Sequence, residues 1–261
     1  MIAASPWFVP LRKPAPAPRR AAPALRLYAI PYAGGSANVY RNWPAWLDPR
    51  IEVFGVQLPG RGPRLGEAPI ADVERLLGDL LPALTAHAGG ARFALFGHSL
   101  GALLAFELAQ RLQARGAARP ELVFVSGRAA PRTAHAPVAR RCSSDADFVA
   151  ELRHLQGTPR EVLDNAELLA LLMPTIRADF VLLHSWQQGA QSATPLDVPL
   201  VALAGRSDAH VALAAVDAWS DCTLSRFERL DYPCGHFFIH DDERAVVRDV
   251  GERLLETLVA A

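Results

Sequence analysis

The sequence predicts an α/β domain in which a mainly parallel central sheet is covered on both faces by helices. Two observations carry this. Short β-type runs alternate with longer helical ones along most of the chain, and several short runs, such as LVFVS and LVALAG, are apolar throughout. A strand buried on both faces requires that continuity. Alternation of this kind implies parallel neighbours joined by right-handed crossovers. A third observation says where the chemistry lies: in FALFGHSLGALLAFELAQ, Phe93 to Gln110, a lone serine stands between two glycines where a strand gives way to a helix.

Bulk properties fit one large domain. The chain has 261 residues, 51% hydrophobic and 21% charged, enough for a substantial core. A formal net charge of zero argues against a general footprint for nucleic acid. The three cysteines, Cys142, Cys222 and Cys234, are odd in number and form no CxxC pair. A disulfide framework is not expected, and a reducing cytoplasm is the simpler setting. No apolar run reaches the length of a membrane span, and the N-terminus lacks the apolar segment of a signal peptide.

Residues 1–24 are rich in Pro, Ala and Arg and read as an extended arm. Its Trp7 and Phe8 either pin it to the domain surface or belong to a loose tail. Residues 25–261 form the single domain. Its strands are expected at Leu25–Pro31, Ile51–Leu58, Phe93–Gly97, Leu122–Ser126, Leu200–Gly205 and Ser225–Leu230. Helices are expected at Ile70–His87, Leu100–Arg115, Ala209–Trp219 and Asp241–Val259. Between Ser126 and Leu200 lie about seventy residues, far beyond an ordinary connection. Helical patterns there, with Ser144 and Asn165 as N-caps, predict an inserted helical lid over about 134–192.

Gly97-His98-Ser99-Leu100-Gly101 is G-x-S-x-G at a strand-to-helix junction, the pattern of a nucleophile elbow. The tight turn excludes bulk two residues before and after the serine, and its hydroxyl projects at a helix N-terminus that favours negative charge. An ordinary glycine-punctuated turn is the bland alternative. A serine nucleophile needs a base and an orienting acid, here in the order Ser, acid, His. The strand ending at Gly205 is followed by RSDAHV, which offers Asp208; the last strand is followed by DYPCGHFFIHDD, which offers His236. Both fall on the carboxyl edge that carries Ser99. Asp231, His240, His98 and His210 are weaker rivals. His236 and His240 stand at i, i+4, but no third ligand is evident and no metal site is expected. The oxyanion hole needs two N–H donors. We assign the amide of Leu100, after the nucleophile, and that of Ala33 in the PYAGGSANVY loop, rather than read that loop as a phosphate cradle.

PYAGGSA, VQLPGRGPR, FGHSLGA, VSGRAAP, the aspartate of GRSD, Trp219 and GHFF together resemble the type II (external, editing) thioesterases that accompany nonribosomal peptide and polyketide synthases. They are also similar to the medium-chain fatty acyl thioesterases. The resemblance runs from about Trp7 to the last helix. It implies an α/β-hydrolase fold with a helical lid, and hydrolysis of acyl or aminoacyl thioesters on the phosphopantetheine arm of carrier proteins. By that match Ser99 is nucleophile, Asp208 acid and His236 base. Tyr32 stands where the family often has His, and Gly62 where it often has Glu. No metal or organic cofactor is needed, since the phosphopantetheine belongs to the substrate. The partners implied are acyl or peptidyl carrier domains, met transiently by a monomer, with neither nucleic acid nor membrane. Arg128, Arg132, Arg140 and Arg141, in GRAAPRTAHAPVARR at the start of the insertion, are either the cationic face for an acidic carrier or a solvated loop. A medium-chain fatty acyl thioesterase, a terminating thioesterase or cyclase, a generic esterase, and a catalytically silent carrier-binding protein remain alternatives. In many terminating enzymes the acid follows an earlier strand, where this chain has Gly127 and Arg128.

Overall fold

The computed structural model describes residues 5–11, 24–131, 133, 144–155, 160–189 and 194–259. Among them seven strands form one sheet: β1 (Phe8–Pro10), β2 (Leu25–Ile30), β3 (Ile51–Val56), β4 (Phe93–His98), β5 (Val123–Ser126), β6 (Leu200–Gly205) and β7 (Phe227–Tyr232). Their order across the sheet is β1-β3-β2-β4-β5-β6-β7. All neighbours are parallel except β1, which runs antiparallel to β3. Every residue of β4 and β6 is buried, as the apolar runs FALFG and LVALAG require, and burial takes in His98 at the end of β4 as well.

Helices α1 (Val73–Ala88), α2 (Leu100–Ala114) and α6 (Leu213–Asp217) cover one face, with Leu77, Leu103 and Val216 in its core. Helix α8 (Glu243–Val259) covers the other, with Val246, Val250 and Leu254 packed among Leu27, Phe96 and Phe124. One turn of helix, α7 (Phe238–Asp241), precedes it. Between β5 and β6 stand α3 (Asp145–Leu155), α4 (Arg160–Leu163) and α5 (Ala166–Gly189). Ser144 and Asn165 cap α3 and α5 as expected, through the Asp147 and Leu168 amides at 3.1 and 3.0 Å. The insertion has a small core of its own in Phe148, Leu152, Leu163 and Ile176. Leu182 and Trp186 of α5 belong instead to the main core. Among the described residues no helix is long and apolar enough to cross a membrane.

Four expected elements differ. The helix expected at Ile70–His87 begins three residues later, at Val73, where the Asp72 carboxylate caps it by accepting from the Arg75 amide at 2.7 Å. The helix expected at Ala209–Trp219 begins only at Leu213 and tightens to a 3₁₀ turn at Ala218–Cys222. The Asp208 carboxylate takes the amides of His210 and Val211, and so holds that stretch as a loop. The last strand lies two residues later than expected, at Phe227–Tyr232, which shortens the loop to His236. The final helix breaks at Asp242, leaving α7 as a separate turn. Strand β1 was not foreseen at all. It is three residues long and ends in a proline, which an edge strand tolerates.

The arm is therefore pinned at Trp7 and Phe8. Phe8 is buried and packs edge-on against Tyr28, with ring centroids 5.0 Å apart. The Trp7 carbonyl accepts from the Gln57 amide at 2.8 Å. Phe8→Ala should lower stability in urea by about 3 kcal/mol, the usual scale for a buried Phe. A loss under about 1 kcal/mol would mean that β1 contributes little to the fold.

Candidate active site

The elbow is built on close backbone approach. Ser99 has φ 53° and ψ −109°, and is the one non-glycine residue with positive φ among those described. A Cβ at Gly97 would stand 1.9 Å from the Gly101 carbonyl oxygen. A Cβ at Gly101 would stand 2.1 Å from the carbonyl oxygen of Ile30, at the end of β2. Both positions must therefore be glycine for β4 to turn directly into α2. The strained serine is held by its own N–H, which donates to the Ser126 carbonyl at 2.8 Å.

The same contact at Ile30 presses the start of α2 against the strand from which the Tyr32–Gly35 loop runs. The Gly35 N–H donates to the Tyr32 carbonyl at 2.9 Å, and Gly34 has φ 76°, which together make a glycine-requiring turn. Leu100 opens α2, where an amide has no partner within its helix. The Gly34 N–H is taken by the Asp179 carboxylate at 2.7 Å. The Ala33 N–H has no such partner among the described residues.

Asp208 and His236 are brought together. Oδ2 of Asp208 lies 2.6 Å from Nδ1 of His236, with the two side chains 1% and 14% exposed. Oδ1 accepts from the His210 and Val211 amides at 2.7 and 3.1 Å. Burial pushes the Asp208 carboxyl up, but the His236 hydrogen bond and charge, with the two amides, outweigh it and hold it below the ordinary carboxylate value. Their two loops are laced together by the Arg206 N–H on the Tyr232 carbonyl at 2.8 Å and the Ser207 N–H on the Cys234 carbonyl at 3.0 Å. A Cβ at Gly205 would stand 2.3 Å from the Gly235 carbonyl oxygen. Gly205 is thus a site residue that the sequence reading took only as a strand end.

The rivals are engaged elsewhere. Asp231 faces Arg229 at 2.8 Å. His240 Nε2 lies 3.0 Å from the Tyr32 hydroxyl. His98 is fully buried with Nδ1 2.9 Å from the Ser126 hydroxyl, and desolvation holds its pKa well below the ordinary histidine value. His210 is exposed, its ring 6.0 Å from that of His236 and 5.4 Å from that of His154 on α3. Of the four arginines singled out, Arg132, Arg140 and Arg141 lie outside the described residues. Arg128 is half-buried, 5.9 Å over the Trp186 ring, and burial lowers its pKa to about 10.

Two clefts open on this edge. One, of ≈ 350 Å³, is lined by Tyr32, Ala33, Arg41, Val162, Ile176 and His240. The other, of ≈ 370 Å³, is lined by His154, Ser207, His210, His236 and Phe237. Sequence reading also missed Arg61 and Asp179, which form a buried ion pair. The available signal was an aspartate in the apolar helical stretch LLMPTIRADFVLL.

Comparison with known proteins follows the same lines. The thioesterase domain family model matches residues 25–254. The gramicidin S biosynthesis protein GrsT of Aneurinibacillus migulanus is 35% identical over 230 residues, covering 88% of this chain and 89% of that protein. The solved structure of ClbQ from the colibactin NRPS/PKS pathway is similar with a TM-score of 0.83 and 30% identity, over 91% of this chain and 99% of that one. The type II thioesterase BorB from the borrelidin biosynthetic cluster is similar with a TM-score of 0.80 and 34% identity, over 97% and 99%.

Gly205→Ala should separate the two loops and misplace Asp208 against His236. A shift on the 1 Å scale can cost about 100-fold in rate, so hydrolysis should fall by at least about that factor, and because the clash is with backbone the melting temperature should fall as well. Unaltered turnover in a variant whose fold is intact would show that this contact does not set the pair.

Proposed function

Because this chain belongs to the thioesterase domain family, and is a thioester hydrolase of α/β-hydrolase fold, we propose that it serves a peptide or polyketide synthase as a type II editing enzyme. Its substrates are acyl or aminoacyl groups carried as thioesters on the phosphopantetheine arm of a carrier protein. Ser99 is the nucleophile, His236 the base and Asp208 the group that orients it. The observation that carries the reading is the 2.6 Å bond from Asp208 to Nδ1 of His236, on the sheet edge where the Ser99 elbow stands. With Nδ1 committed to the carboxylate, Nε2 is the ring nitrogen left to accept a proton.

The reaction follows. His236 takes the Ser99 proton as Oγ attacks the thioester carbonyl. The N–H groups of Ala33 and Leu100 hold the oxyanion, each contributing about 3 kcal/mol to lowering the barrier. The C–S bond breaks and the pantetheine thiol leaves. Water then attacks the acyl-serine, His236 again taking the proton, and the free acid departs. No metal or organic cofactor enters the reaction.

A terminating enzyme with its acid after β5 is a poorer reading. The residue at that point is Gly127, with φ 58°, and a Cβ there would stand 2.5 Å from His98 Cε1. Alpha-3 and α4 are the movable part of the insertion in this reading. Alpha-5 stays seated, since its Leu182 and Trp186 are buried in the main core.

Two measurements test the proposal. Ser99→Ala should lower kcat by about 10⁶-fold and Asp208→Asn by about 10⁴-fold, the scale seen when triad members are lost. Both should fold normally. Release of acyl groups from a loaded carrier should have a higher kcat/KM than release from the matching N-acetylcysteamine thioester. Equal values for the two substrates would remove the carrier from the proposal, and persistent turnover without Ser99 would remove the mechanism.

A further inference from the structure

The middle of α5 grips the oxyanion loop directly. Asp179, 1% exposed, projects from α5 into a position between two loops. Its Oδ2 accepts from the Gly34 N–H at 2.7 Å and from Arg61 Nη1 at 2.6 Å; its Oδ1 accepts from Arg61 Nη2 at 2.7 Å. The Arg61 guanidinium is itself buried and also donates to the Gly35 carbonyl at 3.2 Å. The outward N–H of Gly34 and C=O of Gly35 are therefore both fixed by one ion pair. One turn earlier on α5, the Thr175 hydroxyl donates to the Gly60 carbonyl at 2.5 Å. Ile176 packs closely over Gly34, where a Cβ would meet its Cγ1 at 3.2 Å.

The next amide back along the chain is that of Ala33. Its direction is set by the plane of the peptide group between Tyr32 and Ala33, and a turn clamped at Gly34 and Gly35 allows that plane little freedom. An oxyanion donor works only if it is aimed before charge develops. A bidentate Arg–carboxylate pair inside the protein supplies such rigidity, because either partner left alone would be a buried, uncompensated charge.

We propose that Asp179 is a positioning residue for the oxyanion site: through Gly34 it aims the Ala33 amide, and through Arg61 it makes that aim conditional on α5 being seated. The inference rests on the reading of Ala33 as an oxyanion donor. It predicts that lid motion leaves the seat of α5 in place, and that an α5 lifted from Arg61 has an unformed oxyanion site.

The test uses the full chain and a substrate that needs no carrier: acetyl- or octanoyl-N-acetylcysteamine, whichever the wild type turns over faster. Wild type and Ser99→Ala are run alongside, so that failure of the general reading shows as no Ser99-dependent turnover at all. Asp179→Asn should lower kcat by about 100-fold with KM within about threefold, the scale of losing one oxyanion donor. Affinity for octylboronic acid, whose adduct with the serine places an oxygen where the oxyanion forms, should fall by a similar factor. The single variant leaves Arg61 buried and unpaired and can fail to fold for that reason alone. Arg61→Met/Asp179→Leu removes both charges at similar volume; it should recover the wild-type melting temperature and remain slow. A stable double variant with kcat and boronic acid affinity within threefold of wild type would overturn the proposal, since the pair would then be structural only. A raised KM with unchanged kcat in Asp179→Asn would overturn it too, by assigning Asp179 to substrate passage.

Discussion

The carboxyl edge of the sheet is set by how closely backbones can approach where side chains are missing. Gly97, Gly101 and Gly205 each face a carbonyl oxygen nearer than any Cβ tolerates. The first two let β4 turn into α2 with the serine at its apex, against the end of β2. The third lets the loop after β6 lie on the loop after β7. Without the first contact Ser99 has no strained elbow and Leu100 no place beside the Tyr32–Gly35 loop. Without the third, the loops of Asp208 and His236 cannot lie as close as the two backbone hydrogen bonds that lace them require. Core packing on the two faces keeps the strands in register, but van der Waals contact at these glycines decides where the polar groups end up.

The insertion adds a second kind of constraint, electrostatic rather than steric. Arg61 and Asp179 are 4% and 1% exposed, and breaking such a buried pair costs about 3–5 kcal/mol. That is a large share of the stability of a typical domain. A buried ion pair is rarely the cheapest way to join a helix to a sheet, since apolar side chains of the same volume do as well. What it offers is direction: the carboxylate takes the Gly34 N–H as well as the guanidinium. The insertion is thus divided between a part that shares the main core and a part, around Phe148 and Leu163, that packs mainly on α5.

Much of this was legible in the sequence, for definable reasons. Apolar character marked β2 to β6 within two residues at either end, since buried parallel strands are apolar almost throughout. Strands β2 and β3 are interrupted only by Arg26 and Glu52, half-buried and paired with each other near the strand starts. The elbow was legible because its glycines are two residues either side of the serine. Asp208 and His236 were legible from chain order and strand ends. Their 2.6 Å contact was not, because it depends on Gly205 meeting Gly235, thirty positions away in sequence. Strand β1 was hidden by its length and its proline. The shift of β7 was hidden because FERLDY, on an edge, is mostly half-buried and alternates too weakly to fix a register. The Arg61–Asp179 pair was hidden because its partners lie 118 positions apart: an aspartate in an apolar helical stretch marks Asp179 as unusual but does not name its partner.

His98 shows how the two kinds of constraint meet. It sits inside the elbow motif, fully buried, with its ring centroid 5.1 Å from that of His236. In the mechanism proposed, His236 becomes an imidazolium for part of each turnover. A second positive charge at that distance would oppose this by about 3 kcal/mol, taking an effective dielectric of about 20. Desolvation prevents it: buried among Tyr32, Phe237 and Phe238, His98 stays neutral well below the pH at which a free histidine charges. Its Nδ1 is tied to the Ser126 hydroxyl, and the Ser126 carbonyl accepts the Ser99 N–H. Gly127 leaves room for the ring, since a Cβ there would stand 2.5 Å from His98 Cε1. The end of β5, which carries no acid in this chain, therefore holds the serine in its strained conformation on one side and keeps a neutral ring against His236 on the other.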